Sequence, residues 1–159
     1  MSAISPIPES QERRAALAAE ITARTGLDEA TLEHVLRAFY AEARQDDLLG
    51  PVFARVGDWE GHIGRIVAFW SSVALMTGRY QGNPMGAHLP LGLEPAHFAR
   101  WLALFERTVR AGCAPEGADL LIGKARRIAQ SLQLGIEVQR GVLPRPAARR
   151  TSAVGTAAG

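Results

Sequence analysis

Apolar residues recur along this chain at spacings of three and four, the pattern of helices that bury one face. Residues 10–24 form a modest amphipathic helix carrying Leu17, Ile21 and several alanines, and Gly26 supplies a stop. Asp28 opens a stronger helix with Leu32, Val35, Leu36, Phe39, Tyr40 and Ala43 on one side. Asp46-Asp-Leu-Leu-Gly-Pro-Val-Phe53 predicts a tight turn with one short helical piece. Asp58 can cap a helix running to about Thr77, with Trp59, Ile63, Ile66, Val67, Trp70 and Val73 inward. His62 lies one turn before Ile66 and shares its side. Pro95 and Pro115 mark two further helix starts. The first of these helices bears the stripe Phe98, Trp101, Leu102, Phe105 and Val109, the second Leu121, Ala125, Ile128, Leu132 and Ile136.

Residues 78–93 are interrupted by glycine and proline and cannot form one regular element. No stretch alternates with period two for long enough to make a strand. The expected fold is all-α, with four main helices and one extra at the N-terminus.

Composition narrows the class. The 159 residues suit one domain with loose ends. A chain of this size buries roughly 68–70% of its unfolded surface and needs no covalent or metal staple. The single cysteine, Cys113, forms no intramolecular disulfide and suits a reducing compartment. The first residues place charge after the apolar positions, with no continuous apolar run to make a secretory signal. The uncharged run Ile66–Gly78 is too short to cross a bilayer. A soluble, cytoplasmic protein without membrane association is expected.

Charge carries one further message. The net value is +2, yet Arg140, Arg145, Arg149 and Arg150 all follow the last acid, Glu137. Without those four arginines the remainder stands at −2, so the folded part offers no basic footprint for nucleic acid. The stretch 141–159 is aperiodic and rich in Ala, Pro, Gly and Arg, and is expected to be disordered. The chain thus divides into an N-terminal extension with a short helix (1–26), a helical domain (27–140) and a tail (141–159).

The four histidines, His34, His62, His88 and His97, show no pairing at helical spacing. C-x-x-C and H-E-x-x-H are both missing, so zinc has no motif support. Serine-hydrolase elbows, Walker loops and dinucleotide fingerprints are missing too. His88 sits in Tyr80-Gln-Gly-Asn-Pro-Met-Gly-Ala-His88-Leu-Pro, where a loop histidine near proline reads by itself as a surface or hydrogen-bonding residue. His62 reads equally as a partly exposed helix residue, Tyr40 as a core tyrosine and Trp101 as core packing. His34 and His97 carry no further signal.

Taken in order, the pieces are more specific. Ala38-Phe-Tyr40, Gly50-Pro-Val-Phe53, Trp59-Glu-Gly-His62, Phe69-Trp70, Tyr80-Gln-Gly-Asn-Pro84 with His88-Leu, and Phe98-Ala-Arg-Trp101-Leu-Ala-Leu-Phe105 succeed one another at consistent spacing. This succession, from about Leu27 to Glu137, resembles the group III truncated haemoglobins. The lack of any Gly-Gly pair fits the third group, since the other truncated groups carry such pairs.

The resemblance implies a two-over-two helical sandwich and a haem b cofactor whose iron is held by His88. It implies Tyr40 and Trp101 as hydrogen-bond donors to a distal ligand and His62 as a distal gate. Phe53 would pack on the haem face and Ile66 on the distal wall. Arg65 and Arg79 are the cations proposed, from position alone, for the haem carboxylates. O2, CO and NO are the implied ligands, with a reductase as a further partner. Two other functions compete: a haem enzyme with peroxidase or nitric-oxide dioxygenase activity, and a cofactor-free helical interaction module.

Overall fold

A computed structural model describes residues 7–141, and the tail expected to be disordered lies, from residue 142 on, outside them. Seven α-helices and no strands occur among the described residues. They are α1 (Ile7–Thr25), α2 (Glu29–Gln45), α3 (Gly50–Phe53), α4 (Trp59–Leu75), α5 (Pro84–His88), α6 (Pro95–Gly112) and α7 (Pro115–Gln139), with a single 3-10 turn (Leu89–Leu91) after α5. The four long helices α2, α4, α6 and α7 match those expected. The extra one, α1, begins earlier than its apolar pattern suggested. Pro8 does not prevent this, because proline lacks only an N–H that a first turn leaves unbonded anyway.

Caps act where the sequence placed them. The Asp28 carboxylate accepts from the Thr31 N–H at 2.7 Å, and that bond lowers its pKa. Asp58 does the same for Gly61 at 3.0 Å. Helix α2 packs on α4, and α6 on α7; α2 also crosses α6, and α4 meets α7. Two helix pairs therefore lie one over the other, the two-over-two arrangement. Helix α1 packs on α4 and α7.

The core is aromatic at its centre. Phe39 and Phe105 are fully buried. Trp101, Phe105 and Trp70 form a stack, with centroids 4.8 and 5.0 Å apart and near-parallel planes. Phe39 meets Trp101 and Phe105 edge-on at 5.2 and 5.4 Å. Trp101 and Phe105 thus lock α6 to both α2 and α4.

The chain from α4 to α5 is tied back by two adjacent serines. Buried Ser71 donates from its hydroxyl to Glu29 at 2.7 Å and accepts from the Thr77 hydroxyl at the same distance. Ser72 accepts from the Tyr80 N–H at 2.8 Å. Met76 ends α4 in the left-handed region (φ 59°), where a side chain is strained. No described helix is long and apolar enough to cross a membrane.

Candidate functional site

A cavity of about 470 Å³ opens between α2, α4, α5, α6 and α7. It lies in the range of small-molecule and cofactor pockets. Its walls are mostly apolar, with Phe53, Ile66, Phe69 and Phe98 among them. Among the described residues, no aspartate or glutamate lines it, and the charged side chains on its lining are Arg55 and Arg65.

His88 enters this cavity from α5. Asn83 caps that helix through the Gly86 N–H at 3.0 Å, and Pro84 occupies its first turn. One turn of helix then brings the His88 ring back to the Pro84 carbonyl, with Nδ1 and the oxygen 2.6 Å apart. A carbonyl only accepts, so Nδ1 carries the proton and Nε2 is left with a free lone pair.

Tyr40 from α2, His62 from α4 and Trp101 from α6 line the same space. Burial pushes the Tyr40 hydroxyl up to about 12, offset in part by the neighbouring Trp101 indole N–H. His62 is half-buried, and its pKa is lowered first by that burial, then by the charges of Arg65 and His88. The imidazole is therefore neutral at pH 7. Its ring lies tilted against Trp59, and the Arg44 guanidinium lies 4.1 Å from the Trp59 ring centroid.

No protein-family model matches the chain. It is 30% identical over 113 residues to the group 3 truncated haemoglobin ctb of Campylobacter jejuni, an alignment covering 67% of this chain and 89% of that protein. The protein belongs to the group III truncated haemoglobins. The crystal structure of a group III truncated haemoglobin from the same species agrees, with a TM-score of 0.65 at 29% identity over 69% of this chain and 91% of that one.

In this globin, seven of the eight residues singled out from sequence line one cavity: His88, Phe53, Ile66, Arg65, Tyr40, His62 and Trp101. Arg79 does not. Its guanidinium lies on Glu29, with Nη1 and Oε1 2.6 Å apart, beside the Ser71 hydroxyl. Among the lining residues that carried no sequence signal as site residues are Arg55 and His97. The His97 Nδ1 accepts from the Glu94 backbone N–H at 2.9 Å in a capping box. A backbone amide only donates, so the His97 proton sits on Nε2, the reverse of His88.

A haem is a flat apolar ring with two carboxylate arms and an iron that takes an axial imidazole. The lining fits each part: apolar walls, acid-free arginines, and one imidazole whose Nε2 is unprotonated. Among the described residues no three His, Cys, Asp or Glu side chains converge to cage a bare metal ion.

Proposed function

We propose that this globin carries a b-type haem ligated by His88 and binds O2 and related diatomic molecules beside Tyr40, Trp101 and His62. The observation that carries this reading is the 2.6 Å contact between His88 Nδ1 and the Pro84 oxygen, which leaves Nε2 as the ligating nitrogen. When bound, the haem supplies an iron centre that takes up such molecules.

The protein's own residues set the conditions around it. Phe53 and Ile66 make the wall beside the guest apolar, so polar contacts there count for more than they would in solvent. Tyr40 keeps its proton at every physiological pH, because burial raises its pKa to about 12. Its hydroxyl hydrogen can donate to a guest in the cavity, whose lining also holds Trp101. Neutral His62 stands next along the wall as the gate. Arg65 supplies a positive charge for one carboxylate arm.

Adding haem to the purified protein should produce an intense Soret band that shifts on reduction and again under CO. A protein that takes up no haem would return the fold to the reading of a helical interaction module.

A further inference from the structure

The segment that carries His88 is tied to the last turns of α7. Helix α5 is five residues long, too short to hold its shape alone, so its place comes from what it packs on. It packs on α7. Met85, its second residue, lies against the buried cluster that includes Leu132 and Ile136. Gly135, between those two in sequence, leaves a notch: a methyl group at that position would run into the Met85 Sδ and Cε. At the end of α7, Arg140 donates to the Leu93 carbonyl at 3.0 Å and to the Glu94 carboxylate at 3.2 Å. Residues 84–94 are thus held by one helix at both ends, and Leu89 and Leu91 pack against the same cluster in between.

Glycine inside a helix is less stable than alanine. Gly135 has no positive φ, so it supplies room rather than a special conformation. Gly123 on the same helix has only open space where a methyl would go. The notch matters to the cavity because α5 is a single turn. Pro84, Ala87 and His88 line the cavity, whereas Met85 packs toward α7. Met85 and His88 are three residues apart and therefore neighbours along the turn. The contact between His88 Nδ1 and the Pro84 oxygen spans that same turn. A displacement at Met85 carries the imidazole with it.

We infer that Met85, seated in the notch at Gly135, is a positioning residue that sets how His88 enters the cavity, an inference that rests on the haem reading above.

The test is a double-mutant cycle read on haem-free and haem-loaded protein. Without haem, Gly123→Ala should raise the melting temperature, as alanine does at an open helical site, and Gly135→Ala should lower it. In the Met85→Ala background Gly135→Ala should raise it too, because the side chain that filled the notch is gone. With haem, Gly135→Ala and Met85→Ala should each shift the iron–histidine stretching band of the reduced, ligand-free protein in resonance Raman. Each should release haem to an excess of scavenger apoprotein roughly tenfold faster, the low end of what a lost ligand-orienting contact costs a metal site. Together they should release it no faster than Met85→Ala alone. Leu121→Ala, a fully buried truncation on α7 in the other apolar cluster, should lower the melting temperature and leave the band where it was. A rise in melting temperature for Gly135→Ala alone, additive rates, an unmoved band in both single variants, or an equal shift from Leu121→Ala overturns the seat and leaves His88 ligation standing. A wild-type protein that takes up no haem overturns both.

Discussion

His62 lies against Trp59, their ring centroids 5.4 Å apart and their planes tilted by 42°. Trp59 is itself held by Arg44, so the position of the imidazole depends on a residue that does not line the cavity. Aromatic pairs of this kind are worth about 0.5–1.5 kcal/mol. Trp59→Leu should free the His62 ring and speed CO association by roughly two- to tenfold, with a smaller change in dissociation. Flash photolysis of the CO form measures both. Unchanged association would mean that His62 does not gate entry.

Acid should open the same gate. The His62 pKa is depressed, so the ring stays neutral as pH falls past the ordinary histidine value and protonates only below it. The cation then formed is repelled by Arg65 and leaves the apolar wall. CO association should therefore rise as pH drops through that depressed pKa, and His62→Leu should flatten the profile. The linkage sign for stability agrees. The unfolded chain binds this proton first, so His62 costs stability as pH falls below about 6.5, and the cost levels off below the folded pKa.

Tyr40 should control O2 release. A hydrogen bond to a guest bearing partial charge is worth about 1.5–3 kcal/mol, so Tyr40→Phe should speed O2 dissociation by roughly ten- to a hundredfold. CO carries less charge and should change much less. Trp101→Phe should have a smaller effect, because part of its influence falls on the Tyr40 hydroxyl rather than on the guest. Stopped-flow dissociation of both gases is the measurement. Equal effects on O2 and CO would show that Tyr40 acts by its bulk.

His88 and His97 separate cleanly by substitution. His88→Ala should abolish stable haem uptake, with partial return of the Soret band on adding free imidazole. His97→Ala should still take up haem, because its accessible nitrogen carries a proton rather than a lone pair. The reverse outcome in a haem titration would reassign the ligand.

The tie between α4 and α2 makes a stability prediction. Ser71 is fully buried and joins Glu29 to Thr77, so Ser71→Ala should cost about 1–3 kcal/mol by leaving their hydrogen bonds unmade. Glu29 is held below the usual carboxylate range by Arg79 first and Ser71 second, with burial opposing. Its contribution is complete above the unfolded value of about 4.3 and is lost as pH falls through the lower folded pKa. In Glu29→Gln that part of the acid sensitivity should vanish from melting curves taken between neutral and acid pH.

The long helices were legible because each writes its buried face into spacings of three and four, as Phe98, Trp101 and Phe105 do on α6. The cavity was legible through an ordered set of residues, each weak alone. What escaped depends on contacts between distant positions. Nothing local tells that Arg79 will meet Glu29, 50 residues earlier, rather than the cavity. Nor does a lone His97 show where its proton sits until the Glu94 amide stands beside it. Arg55, just past the end of the short helix α3, carries no local sign that it will reach the lining.

The partner that orients His88 is a main-chain oxygen. No point substitution can delete a carbonyl, so the tautomer survives any replacement at position 84 that still allows one turn of helix. A carboxylate in that place would be lost by a single codon change, and while present it would draw the imidazole toward anionic character. Drift at position 84 is thus buffered: its side chain can change while the nitrogen that faces the cavity stays the same.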